Sequence, residues 1–137
     1  TCIRIPPSDN LIIGKISYER NDTVEKSIKY FINIRILHKG DDLKTSFGPG
    51  TACLLRGIER TGSINQATKA MGMAYSKAWR VLAASEKQLG FALIERKVPE
   101  GSRLTEQGRK FLALYEKMQE TAEKAVYDVL ERSDFKI

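Results

Sequence analysis

The chain has 137 residues, 42% of them apolar, and a net charge of +6. That is one ordinary domain with room for an extra arm; the apolar share is enough for a buried core and excludes a disordered chain. Apolar runs such as 32–37 are short and broken by polar residues, so no transmembrane helix is expected, and Thr1 to Ser8 shows no basic stretch leading into an apolar one. Two cysteines, Cys2 and Cys53, and a single histidine, His38, supply neither a disulfide framework nor a set of metal ligands. They read as ordinary thiols and an isolated imidazole of a cytoplasmic protein.

The charge is uneven. Residues 1–50 carry +2, residues 51–104 carry +5 and residues 105–137 carry −1. A basic middle third in a small domain is either a solubility device or the footprint of a polyanionic partner, most often nucleic acid.

In chain order, residues 1–27 show little periodicity and read as an N-terminal arm, with a loop at Pro6-Pro7-Ser8. From Ile28, alternation of Ile28, Tyr30, Ile32, Ile34 and Ile36 with polar residues predicts a strand with one buried face. Turn residues at 39–42 then predict a β-hairpin over about 28–47. The spacing of Leu54, Leu55 and Ile58 predicts a helix over 51–60, stopped by Thr61-Gly62. Ser63 with Gln66 three residues later is a capping-box pattern, so a short helix is expected from Ile64 to Gly72. A third helix is expected from Tyr75 to Leu89, ended by Gly90. Residues 92–104 read as two short strands about a Pro99-Glu100-Gly101 turn, and Thr105 caps a long last helix reaching about Leu130.

Two short helices joined at Gly72, the second longer and basic, have the arithmetic of a helix-turn-helix. Ala67, Met71, Met73, Ala78 and Val81 would form its core, with Leu82 and Leu89 extending the stripe. The other side of the third helix shows Ser76, Lys77, Arg80, Ala84 and Lys87, a polar, basic face without an acid. Such a helix fits a major groove by its N-terminal half, although a solvated face has the same composition. Tyr75 would touch a phosphate or a thymine methyl, or only pack; Trp79 reads first as packing; Gln66 reads first as a cap and second as a phosphate contact. Arg96, Lys97, Ser102 and Arg103 cluster at the tip of the following hairpin, where a wing would reach backbone phosphates. On the last helix Phe111, Tyr115, Met118, Ala122, Ala125 and Val129 recur at steps of 3 and 4, a seam that a second copy or the chain's own β-hairpin could cover.

These stretches carry a family resemblance. Gly-Ser-Ile-Asn-Gln at 62–66, Gly-Met-Ala-Tyr-Ser-Lys-Ala-Trp at 72–79, Leu-Ile-Glu-Arg at 93–96 and Arg-Leu-Thr-Glu-Gln-Gly at 103–108 resemble the DNA-binding domain of LysR-type regulators. They are more similar still to the N-terminal domain of the molybdate-dependent transcriptional regulators, and Phe-Gly-Pro-Gly at 47–50 resembles its short, stand-alone members. The resemblance covers about 28–131 and implies a winged helix-turn-helix that binds operator DNA as a homodimer. It implies Ser76, Lys77 and Arg80 on the recognition helix, and Arg96, Lys97 and Arg103 on the wing. Three departures stand out: Thr68 replaces a usual alanine, Ala74 replaces a polar cap worth about 1 kcal/mol, and the wing is short. With the sequence ending at Ile137, no molybdate-binding domain is expected, and molybdate sensing does not follow.

The expectation is therefore a mainly α fold with small β elements (α+β). It has an arm at 1–27, a β-hairpin plus winged helix-turn-helix at 28–104, and a dimerisation helix at 105–137. The expected partners are double-stranded DNA and a second copy, with no cofactor, no membrane and no effector named by the residues. The alternative is a winged-helix adaptor that binds protein and no DNA. An enzyme is not expected: the chain has no phosphate loop, no paired catalytic carboxylates and no nucleophile–base motif.

Overall fold

In the computed structural model the described residues are 32–37, 45–97, 99 and 101–134. The expected arm, the first residues of the hairpin, its turn and His38 lie outside them. Along 32–37 exposure alternates as the period-2 pattern requires, with Ile32, Ile34 and Ile36 half-buried and Asn33, Arg35 and Leu37 exposed. Ladder pairing is shorter than the alternation suggested. Strand β1 (Ile36–Leu37) pairs antiparallel with β2 (Thr45–Phe47), Ile36 opposite Phe47 and Leu37 opposite Thr45. The register slips between the two pairs, so a bulge limits the ladder.

Helix α1 (Pro49–Thr61) starts earlier than the apolar spacing indicated, because Pro49 supplies a ready-made helical φ in the first turn. It ends at Gly62, in the left-handed region at φ 72°, whose N–H donates to the Ile58 carbonyl at 2.7 Å. Helices α2 (Ile64–Met71) and α3 (Tyr75–Leu89) follow with the boundaries read from the sequence. Strands β3 (Ile94–Lys97) and β4 (Gly101–Leu104) form the second hairpin, and α4 (Glu106–Arg132) closes the described chain.

One core serves all of these elements. Phe47, Leu54, Leu55, Ile58, Ala67, Ala78, Leu82, Leu93, Leu104, Leu112 and Tyr115 are buried in it. The crossing of α1 and α2 is close because Gly57 faces Ala67: a Cβ on Gly57 would lie 2.8 Å from the Ala67 Cβ. Thr68 fits the buried crossing by turning its hydroxyl back to the Asn65 carbonyl at 2.8 Å, so the departure from alanine leaves no orphaned polar group. Cys53 is not the free thiol that the sequence suggested. It is engaged in a disulfide, a bond that reducing compartments disfavour. One pair of cysteines has no spacing signature from which this could be read. No helix among the described residues is long and apolar enough to cross a membrane.

Candidate nucleic-acid interface

The interface is built from the short helix upward. Ser63 is extended and its Oγ accepts the Gln66 N–H at 3.2 Å, as the cap pattern required. The reciprocal half of the capping box goes elsewhere: the Ser63 N–H donates to Thr61 Oγ1 at 3.2 Å. Gln66, exposed on the first turn of α2, is therefore not needed to satisfy that N–H. Gly72, at φ 66°, turns the chain, and its neighbour Met73 donates its N–H to the Thr68 carbonyl at 3.0 Å. Ala74 then opens α3 without a side-chain cap, as its methyl group dictates.

On α3, Ala78, Leu82 and Ser85 are buried against the core. Tyr75, Ser76, Lys77, Arg80, Ala83, Ala84 and Lys87 are exposed. The basic face lies in solvent along about three turns, and Glu86, the helix's single acid, is half-buried and off that face.

The second hairpin pairs Ile94 with Leu104, Glu95 with Arg103, Arg96 with Ser102 and Lys97 with Gly101. Three hydrogen bonds hold it in place. The Ser102 N–H donates to the Gly62 carbonyl at 2.9 Å, tying β4 to the turn between α1 and α2. The Thr105 N–H donates to the Leu93 carbonyl at 3.0 Å, and Thr105 Oγ1 donates to the Ala92 carbonyl at 2.6 Å. Gly101, at φ 96°, has to be glycine, because a Cβ there would lie 2.3 Å from the Gly62 oxygen. Between the start of α2, Tyr75 and this hairpin runs a groove of about 290 Å³ lined by Ser63, Asn65, Tyr75, Arg96, Lys97 and Ser102, among others.

Of the hairpin cations, Arg96 stacks over the Trp79 ring, with its guanidinium carbon 4.6 Å from the ring centroid. Lys97 and Ser102 line the groove. Arg103 is ion-paired with Glu95, its neighbour across the strands. Asn65 was missed by sequence reasoning. Its place in the groove follows from its position one residue past the first turn residue of α2, once the wing is known to lie opposite.

The expected seam on α4 divides in two. Phe111 and Tyr115 join Phe47 and Phe91 in an aromatic cluster, with ring centroids 4.9 Å apart for Phe47–Phe111 and 5.0 Å for Phe47–Tyr115. The Tyr115 hydroxyl donates to the Ile34 carbonyl at 2.8 Å, and burial pushes its pKa up against the lowering influence of Arg56 and Arg35. These two residues thus cover the chain's own hairpin. Beyond them Met118, Ala125 and Val129 are exposed and Ala122 is half-buried; Leu114 and Val126, not counted in the sequence seam, are exposed beside them. Next to this stripe Glu123 is buried and accepts from Gln119 Nε2 at 2.8 Å; burial raises its carboxyl above the ordinary value. Among the described residues no group of three or more His, Cys, Asp or Glu could hold a metal ion.

A three-helix core with a turn of helix-turn-helix length and a β-hairpin beside the second helix defines a winged helix-turn-helix. Residues 54–109 match the family described as bacterial regulatory helix-turn-helix protein, lysR family. The chain is 35% identical over 89 residues to the transcriptional regulator ModE of Haemophilus influenzae, covering 62% of this chain and 35% of that protein. It is 30% identical over 95 residues to the molybdenum transport protein ModE of Azotobacter vinelandii, covering 66% of this chain and 35% of that protein. It thus spans about a third of the length of these relatives. Among solved structures, the CbnR DNA-binding domain in its complex with DNA superimposes with a TM-score of 0.51 at 23% identity, covering 60% of this chain and 93% of that one. Intact CbnR, a LysR family transcriptional regulator, superimposes at 0.50 and 24%, covering 58% and 27%. The likeness of CbnR fixes the fold. The family match makes residues 54–109 similar to the helix-turn-helix domain of LysR-type regulators.

Proposed function

We propose that the protein is a transcriptional regulator that binds duplex DNA as a homodimer, with α3 in the major groove and the β3–β4 hairpin on the adjacent backbone. The observation that carries this reading is the acid-free face of Ser76, Lys77, Arg80 and Lys87, exposed on α3 beside a groove that Lys97 and Ser102 share with Tyr75. Ser76, Lys77, Lys97 and the first turn of α2 with Gln66 would contact phosphates, while Arg80 would face base edges. Regulators similar to this chain, among them CbnR in complex with DNA, support the same partner.

The exposed stripe of Met118, Ala125, Val126 and Val129 supports the second copy. Two-fold pairing along α4 would set two recognition helices about 34 Å apart, one turn of DNA. Fluorescence anisotropy with labelled genomic duplexes at two salt concentrations tests the reading. Affinity should fall steeply with salt. Arg80→Ala should cost about 1–3 kcal/mol and relax base preference, whereas Lys97→Ala should weaken all duplexes alike and make the salt slope shallower by about 1. Unchanged affinity in Arg80→Ala would place α3 outside the groove and overturn the reading.

A further inference from the structure

We propose that Trp79 is a positioning residue: through its stack with Arg96 it locks the wing at a fixed angle to the recognition helix before DNA arrives. The inference rests on the DNA-binding reading for its functional arm and on the free protein for its spectroscopic arm.

The wing has two anchors that do not involve α3. Ser102 ties β4 to Gly62, and Thr105 ties the hairpin root to Ala92 and Leu93. Neither anchor reaches α3: Ser102, opposite Arg96 in the ladder, holds that end of the hairpin to the turn between α1 and α2. Arg96 supplies the link to α3, with its guanidinium carbon 4.6 Å from the centroid of the Trp79 ring. Tyr75, one turn earlier, meets Trp79 edge-on at 6.2 Å and 79°, so Tyr75, Trp79 and Arg96 form one line of contacts from the start of α3 to the wing. Trp79 is half-buried and packed against the core, which gives the stack a rigid base. Indole is the best of the aromatic faces for a cation, and a planar guanidinium can lie flat on it.

The stack also decides what Arg96 is for. A guanidinium held over a ring has fewer rotamers to lose, and the wing that carries it is already oriented when a duplex docks. The neighbouring Lys97 and Ser102 then reach the groove at a set distance from Tyr75. Arg103 has no such role, because its guanidinium is ion-paired with Glu95 and the cation over the Trp79 ring is Arg96.

Trp79 is the chain's single tryptophan, so its fluorescence reports the stack directly. In the free protein, Arg96→Gln should shift Trp79 emission to the red and raise its quenching by acrylamide, while Lys97→Gln should do neither. Identical emission and quenching in Arg96→Gln and the wild type would overturn the proposal, and because Arg96 is exposed this arm does not depend on any Trp79 variant folding.

With duplex, Arg96→Gln should lose about five- to tenfold in affinity. Trp79→Phe, which keeps a ring, should retain most of the wild-type affinity, and Trp79→Leu, folded by its thermal melt, should not. In the Trp79→Leu background, Arg96→Gln should cost at most about twofold, since its partner is already gone. Fully additive losses would overturn the proposal and make Arg96 a simple phosphate contact. If the wild type bound no duplex at any salt concentration, the DNA reading would fail, and the fluorescence arm would still judge the stack.

Discussion

Gly108→Ala is a substitution for which helix propensity and packing predict opposite signs. Gly108 lies in the first turn of α4, where alanine is favoured over glycine by up to about 1 kcal/mol. A Cβ at this position would lie 2.3 Å from the Leu93 carbonyl oxygen, 3.0 Å from the Leu93 carbonyl carbon and 3.0 Å from Thr105 Oγ1. The first distance is more than about 1 Å inside an ordinary contact near 3.5 Å. The obstacle is backbone, so it cannot rotate away. Relief requires Leu93 and the start of α4 to part, which breaks the Thr105 N–H to Leu93 bond at 3.0 Å and strains the Thr105 Oγ1 to Ala92 bond at 2.6 Å. The cap from Gly108 N–H to Thr105 Oγ1 at 2.9 Å is disturbed with them. At about 1 kcal/mol for each bond, the loss is about 3 kcal/mol against a gain of about 1. The expected net is a destabilisation of about 2 kcal/mol, or a melting point lower by roughly 8 °C in a chain of this size. Circular dichroism melts and urea titrations read both quantities. Gln107→Ala, exposed and one residue earlier, should stay within about 0.5 kcal/mol of the wild type. A Gly108→Ala protein as stable as the wild type, or more so, would refute the close approach of the wing root to α4.

Three further outcomes follow from the contacts above. Ser63→Ala should lose about 1 kcal/mol of stability by urea titration, because its Oγ holds the Gln66 N–H; Gln66→Ala should leave stability within about 0.5 kcal/mol and lower duplex affinity instead, since Thr61 takes the Ser63 N–H. The Glu123 carboxyl is raised from its ordinary 4.5, first by burial, so the folded chain holds its proton more tightly than the unfolded chain and stability falls as pH rises from that value through the folded one. Glu123→Gln should flatten this slope in denaturant titrations across pH and leave the protein more stable at neutral pH. Met118→Glu with Val129→Glu, two exposed positions on α4, should convert a dimer to a monomer in sedimentation equilibrium without lowering the melting point of the winged domain.

Much of the fold was legible because local chemistry decides it. Gly62, Gly72 and Gly90 each end a helix in the left-handed region, with Ser63 and Thr105 capping the helices α2 and α4, so those boundaries need no tertiary information. The basic face of α3 was legible for the same reason: period 3.6 places Ala78 and Leu82 inward and Lys77 and Arg80 outward. Long-range partners were not legible. Nothing in the spacing says that Phe111 and Tyr115 meet Phe47 while Met118 and Val129 stay exposed; the split depends on where the β1–β2 hairpin lies. The same limit hid Trp79. Its partner is on a different element, 17 residues later, and a lone tryptophan on a helix reads as packing until Arg96 is seen above it.

The paired and unpaired cations also bound the salt dependence. Lys77, Arg80, Lys87, Arg96 and Lys97 are available on α3 and the wing, whereas Arg103 is engaged by Glu95. If all five reached phosphates, one copy would give a slope of log affinity against log salt near −4.5, and a dimer one near −9. Base contacts by Arg80 would make the measured slope shallower. Arg103→Ala should change the slope by less than half as much as Lys97→Ala, because the Glu95 carboxylate already offsets its charge. The assay is a titration of duplex affinity over a range of salt concentrations for the wild type and both variants. A dimer slope clearly steeper than about −9, or an equal effect of the two variants, would contradict an interface confined to α3 and the groove side of the wing.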